Sequence, residues 1–274
     1  MKIRSTEKPH SFADKLRKAI PIYDLQGLTL GSNNNFTAGI EAVEYGPEEK
    51  VDLANLFSVK EWEAKWSLCS HLSVPLYVLT HSSGNEFIDA FQLSVNNSNI
   101  SFHHFNKFAF GKFPEWWASI KGRAQLKSLY EAGSRTSIFD DLLEKRGLAW
   151  GGNIDGFLLG QRSMKPQAIL ETRITSKSRL EYYDPADYFR YRGGDYKTWE
   201  PLILLAKELD IPLFLLTFER RSTRDCLGFA VIDSISTEEL CYRNGPPNDN
   251  IIQGIERIRQ QFKRKLSEES PSIQ

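Results

Sequence analysis

The sequence predicts an α/β protein built as two similar halves, each a mixed central sheet flanked by helices. Three observations carry that expectation. A twenty-residue stretch recurs without a gap at an offset of 137 residues, with eight identical positions, among them Trp62/Trp199, Leu68/Leu205, Pro75/Pro212 and Thr80/Thr217. Both copies run from apolar residues spaced by three and four, a helical pattern, through a proline into an unbroken apolar run, which reads as a buried strand. A helix that leads at once into a fully apolar strand belongs in a sheet layered with helices.

The elements follow in the same order in both halves. SFADKLRKA from Ser11 and SIFDDLLEK from Ser137 are amphipathic helix patterns. An Asp-bearing strand comes next, with Asp24 in the first half and Asp155 in the second. A Glu-bearing strand follows, with Glu41 and Glu171. The helix and buried strand of the repeat come after it, and then a hairpin, 86–95 in the first half and 227–232 in the second. This makes a duplication a better reading than chance similarity between two generic α/β units. The segment 96–122, rich in Asn, His, Phe and Trp, lies between the halves, with the boundary drawn near residue 105: residues 1–105 form one half and 106–274 the other. A helix over 121–132 opens the second half, and a last amphipathic helix spans about 249–266, with Ile251, Ile255, Ile258, Phe262 and Leu266 on one face.

Composition narrows the classes. The 274 residues are 41% hydrophobic and 26% charged, enough apolar material for a core. Lys and Arg number 35 and Asp and Glu 35, so the formal net charge is zero, which argues against a highly basic nucleic-acid wrapper and an acidic tail protein. The zero is a sum of opposite signs: residues 1–106 carry 9 basic and 12 acidic groups, and 107–274 carry 26 and 23. Cys69, Cys226 and Cys241 are odd in number and fit no metal-ligand spacing, so they read as reduced thiols. No run approaches the ~20 apolar residues of a membrane span, and the polar start, 1–8, lacks a signal core. The expectation is a soluble, cytoplasmic protein.

Two features gather chemistry. Asn153-Ile154-Asp155-Gly156-Phe157-Leu158-Leu159 is followed by Gln167-Ala168-Ile169-Leu170-Glu171-Thr172-Arg173, two strands joined by a turn over 161–166. Residues two apart on a strand share a face, so Glu171 and Arg173 point the same way, and pairing of the strands brings Asp155 towards them. Two carboxylates on core strands call for neutralisation, and hard oxygen ligands suit magnesium or manganese.

This arrangement resembles the PD-(D/E)XK nuclease superfamily, the restriction-endonuclease-like fold, over roughly residues 123–233. The resemblance implies a metal-dependent nuclease that hydrolyses phosphodiester bonds, a DNA endonuclease first of all. It implies metal ligation by Asp155 and Glu171, with the Thr172 carbonyl as third ligand and Glu131 assisting from the preceding helix. The catalytic lysine position falls on Arg173, which keeps its proton and so cannot act as a general base. Water activation then falls to the metal, or Lys177 or Lys165 supplies the amine, or the site is inactive. The first half is a weaker copy, with Asp24 and Glu41 in the matching places and Val43 where the cation should be. The alternative is therefore a catalytically inactive nuclease-fold module that binds nucleic acid or protein. Expected partners are nucleic acid, DNA in particular, and a second copy of the chain or a larger protein complex. A buried ion triad with no nucleic-acid role is a third reading.

Other residues weigh less. Tyr- and Arg-rich 182–192 follows the motif, so Arg190 and Arg192 are candidate nucleic-acid contacts, as are Arg220 and Arg221 after the second buried strand. Arg190 and Arg192 also read as part of an ordinary packed loop with ion pairs, and Arg220 and Arg221 as residues that simply face solvent. Trp116-Trp117 with Lys112, Lys121 and Arg123 suits either base stacking or hydrophobic packing, and packing is favoured. His103-His104 has no carboxylate or thiol at ligand spacing and reads as a surface pair.

Overall fold

A computed structural model of the chain describes residues 21–96, 99–122, 137–148, 150, 152–160, 163–175, 184–191, 194–219, 227–244 and 260. It is a mixed α/β structure with two sheets. Two compact units divide the chain, the first within Tyr23–Ile154 and the second comprising Pro21, Ile22 and the described residues of Asp155–Gln274.

In the first unit, β1 (Ile22–Leu25, which begins on the second unit's Ile22), β2 (Gly27–Leu30) and β3 (Phe36–Tyr45) precede helix α1 (Val59–His71). Strands β4 (Leu76–Ser82), β5 (Phe87–Asn96) and β6 (Asn99–Ala109) follow, then the short helices α2 (Phe113–Ile120) and α3 (Ile138–Glu144). The sheet order is β2-β3-β4-β5-β6, antiparallel except for the parallel pair β3–β4. A parallel pair needs a crossover, and α1 supplies it. Ser58 opens α1 by accepting from the Glu61 amide at 3.2 Å, the Ser-x-x-Glu start of a capping box. Every residue of β4 is buried, as expected of a strand covered on both faces.

One face of this sheet holds a core where Ile40, Tyr77, Leu79 and Ile88 meet Phe113 and Trp117 of α2 and Phe139 and Leu142 of α3. Trp117 is fully buried and stacks on Trp150 at 4.6 Å, so packing and not base stacking is its role. Within the segment 96–122, read from the sequence as the joint between halves, Asn99–Ala109 is instead β6 and Phe113–Ile120 is α2, both in the first unit. The chain accordingly passes to the second unit at Ile154/Asp155 and not near residue 105. Gly152 has φ +76°, and a Cβ there would collide with the Leu28 carbonyl, so only glycine lets Leu28 N reach the Gly152 carbonyl at 2.8 Å.

Lys121, 6% exposed, donates to the Trp150 carbonyl at 2.9 Å, and burial pushes its ammonium down to about 8. The folded state therefore releases this proton before the unfolded state does, near 10.4. Between those values the unfolded chain binds more protons, so stability rises with pH. Urea unfolding of wild type and Lys121→Met from pH 7 to 10 should show wild type gaining on the variant above about pH 8. A constant difference would contradict this.

The second unit has its own sheet. Strands β7 (Ile154–Leu159) and β8 (Pro166–Thr175), helix α4 (Gly194–Glu208), and strands β9 (Leu213–Glu219), β10 (Leu227–Ile235) and β11 (Leu240–Asn244) follow in turn. The order β7-β8-β9-β10-β11 again has a single parallel pair, β8–β9, within a six-stranded sheet that also includes β1. Trp199, Leu202, Ile203, Leu205 and Ala206 form the buried side of α4. Where the sequence suggests one hairpin in each half, the structure has single strands, β5 and β10, each pairing with a further strand, β6 and β11. Of the terminal helix expected over 249–266, only Gln260 is among the described residues. Among the described residues no helix is long and apolar enough to cross a membrane.

Candidate functional sites in the two units

The strand register fixes which positions of the two units correspond. Glu41 pairs with Val78 on β4, and Glu171 pairs with Leu215 on β9. Val78 and Leu215 are separated by the 137-residue repeat offset, so the two glutamates stand in one place. On the other side, Gly27 faces Ile40 and Gly156 faces Leu170. The residue before each glycine is Gln26 or Asp155. Gln26, not Asp24, is therefore the positional counterpart of Asp155, and the hydrogen bonds agree. Gln26 Oε1 accepts from the Ala42 amide at 2.5 Å, and Asp155 Oδ2 accepts from the Thr172 amide at 3.0 Å. The match of Asp24 with Asp155 read from the letters is off by two residues.

In the second unit, Asp155 Oδ2 also accepts from Thr172 Oγ1 at 2.6 Å, which binds the start of β7 to β8. Glu171 and Arg173 lie on one face of β8, with Thr172 turned to the other. Both meet Trp199 of α4. Its Nε1 donates to Glu171 Oε1 at 3.2 Å, and the Arg173 guanidinium carbon lies 4.7 Å from its ring centre. Trp199 is 1% exposed, so the carboxylate and the cation share a rigid, buried support. Phe189 packs against the same indole at 5.1 Å, which seats the described part of the Tyr/Arg-rich segment. Among the described residues no three His, Cys, Asp or Glu side chains cluster.

The remaining candidates separate cleanly. Arg190 is exposed, and its carbonyl accepts from the Tyr196 amide at 3.4 Å. Lys165 is exposed in the β7–β8 turn, six strand residues or about 20 Å from Glu171, too far to serve as its amine. Glu131, Lys177, Arg192, Arg220 and Arg221 lie outside the described residues. His103 and His104 are exposed on β6, and His104 Nε2 lies 3.3 Å from Asp89.

The first unit holds a feature that strand reading missed. Val43 stands where a cation was expected, but a cation arrives from α1. Lys65 Nζ donates to Asp24 Oδ1 at 2.9 Å, to the Asp24 carbonyl at 2.5 Å and to Glu41 Oε1 at 2.8 Å. Side-chain exposure is 0% for Lys65, 1% for Glu41 and 23% for Asp24. The Phe57 ring centre lies 4.5 Å from the ammonium. Burial alone would push Lys65 down, but Glu41 and Asp24, by charge and by hydrogen bond, outweigh it and hold the amine above its ordinary range. Burial dominates at Glu41, whose carboxyl stands above the usual range although Lys65 opposes the rise. Close approach of α1 makes the cluster compact: a Cβ at Gly39 would collide with Cys69 Sγ. The corresponding second-unit positions carry Ile169 and Ala206, so the bulk moves from helix to strand. Burial pushes the Cys69 thiol up to about 12, which leaves it inert.

No protein-family model matches the chain, and no curated protein or solved structure matches it either.

Proposed function

We propose that the chain is a metal-dependent nuclease of restriction-endonuclease-like architecture that hydrolyses phosphodiester bonds in DNA in the cytoplasm. The working site lies in the second unit, and the first unit is a duplicated, altered copy. The supporting observation is the placement of Asp155 and Glu171 on neighbouring antiparallel strands beside a parallel third, with Arg173 on Glu171's face. Duplication draws support from the identical strand order and pairing senses of β2–β6 and β7–β11.

The donor set fits a hard divalent cation in kind: Asp155 and Glu171 supply carboxylate oxygens and Thr172 a carbonyl, the chemistry magnesium and manganese favour. Such an ion, when bound, lowers the pKa of a coordinated water and offsets phosphate charge. The chain's own residues do the rest. Trp199 holds Glu171 in place through its N–H. Arg173, planar and permanently charged, grips a phosphate by two parallel hydrogen bonds but takes no proton.

Plasmid DNA incubated with Mg2+ or Mn2+ tests the reading. Wild type should cut, and Asp155→Ala and Glu171→Ala should each cut at least about 100-fold more slowly, since an ion supplies several kcal/mol and each 1.36 kcal/mol is tenfold. Equal rates in all three would end the proposal. A second reading, an inactive nuclease-fold module binding nucleic acid or protein, is favoured by Arg173 standing in the lysine position against Trp199. Salt-sensitive DNA binding without cleavage under any divalent ion would select it.

A further inference from the structure

We propose that Asp24 and Glu41 form a divalent-cation site that Lys65 fills with its own ammonium, so that the first unit dispenses with metal and becomes metal-binding once that ammonium is removed. The inference stands on the first unit alone and does not depend on nuclease activity.

An ammonium has three protons, and each here has an acceptor: the Asp24 carbonyl, Asp24 Oδ1 and Glu41 Oε1. The cluster offers one oxygen more. Among the described residues, Glu41 Oε2 is buried and has no hydrogen-bond partner. Three oxygens hold the ammonium, and a fourth, on the same Glu41 carboxylate, is left over. A divalent cation of six or more ligands accepts all four, and a carboxylate can bind it through both oxygens. Charge points the same way: counted as ionised, two carboxylates and one ammonium leave a net charge of −1, with Lys65 and Glu41 buried and Asp24 23% exposed. The repeat shows what differs between the units: position 65 is Lys and its counterpart 202 is Leu, so the second unit has no lysine at the equivalent place on its helix. With all three protons engaged and no exposed surface, Lys65 has nothing left with which to touch a substrate.

The experiment compares thermal unfolding of the full chain in chelator and in Mn2+ for wild type, Lys65→Ala and Lys65→Ala/Glu41→Gln. Wild type keeps the second unit's carboxylates and supplies the baseline for any metal effect there. Lys65→Ala should be destabilised in chelator and should gain more from Mn2+ than wild type. Mn2+ at about a hundred times its Kd raises the folded-to-unfolded ratio about a hundredfold. The double variant, lacking a ligand, should lose the extra gain. If Lys65→Ala folds only when refolded into Mn2+, the proposal is upheld in its strongest form. A Mn2+ gain equal to wild type, a gain that survives Glu41→Gln, or a chain unfolded with and without Mn2+ would overturn it.

Discussion

Lys65→Met is expected to lower the unfolding free energy by about 3–5 kcal/mol, the cost of breaking a buried ion pair by removing one partner. Methionine keeps most of the stem's volume, so the loss is electrostatic and not that of a cavity. What remains is Glu41, 1% exposed, with Oε1 reduced to the long 3.3 Å bond from the Gln26 amide and Oε2, among the described residues, without a hydrogen-bond partner. Asp24 is 23% exposed and recovers part of its hydration, so the burden falls on Glu41. Adding Glu41→Gln to Lys65→Met should therefore restore part of the stability, with a coupling of about 0.5–3 kcal/mol. Urea unfolding measures both. A single-variant loss below about 1 kcal/mol would mean the pair contributes little. The sign with pH is fixed as well. The folded-state value of Lys65 is raised, so its contribution is complete below the unfolded amine value of about 10.4 and fades as pH climbs through the higher folded value.

Trp199→Ala is expected to cost about 3–5 kcal/mol, the range for truncating a buried tryptophan. Three things go together: the core volume, the N–H to Glu171 at 3.2 Å, and the surface under Arg173. Trp199→Phe separates them. It keeps a ring for the guanidinium and most of the packing while removing the donor, so its stability loss should be well under half that of alanine. In the nuclease reading, Trp199→Phe should weaken Mn2+ binding at Glu171 while leaving the salt dependence of DNA binding unchanged. Isothermal titration with Mn2+ and DNA binding across a salt series check this. A phenylalanine variant as unstable as alanine would show that packing against Phe189 and the sheet dominates this position.

The repeat made the architecture readable because a buried parallel strand must be an apolar run and its crossover helix must show a three-and-four spacing. Leu76 to Thr80 and Leu213 to Phe218 carry the first signal, and Trp62 to Leu68 and Trp199 to Leu205 carry the second. Period-two alternation likewise placed Glu171 and Arg173 on one face. Strand β6 gave no such warning: most of its residues are exposed, so neither alternation nor an apolar run marks it, and its aromatics read as a linker. The correspondence of Asp155 with Gln26 was hidden because the first unit breaks its strand at Gln26, between β1 and β2. A two-residue offset across a break leaves no trace in composition. Lys65 did leave a trace. It lies three residues from both Trp62 and Leu68, on the buried stripe of α1, where a lysine has no business without a partner. The partners lie 24 and 41 residues away on strands, and helix periodicity alone could not name them.

The parallel pairing of β3 with β4 has a consequence in time. Antiparallel neighbours can zip from a turn, but β4 cannot join β3 until α1 has crossed the sheet and the intervening chain has closed. Lys65 rides on that crossover, so its ammonium loses water only when the slow, non-local step is nearly done. Its ion contacts are expected to form on the far side of the folding barrier. Lys65→Met should then leave the refolding rate nearly unchanged and express its whole effect as faster unfolding. The buried lysine acts as a latch on a door that has already swung shut.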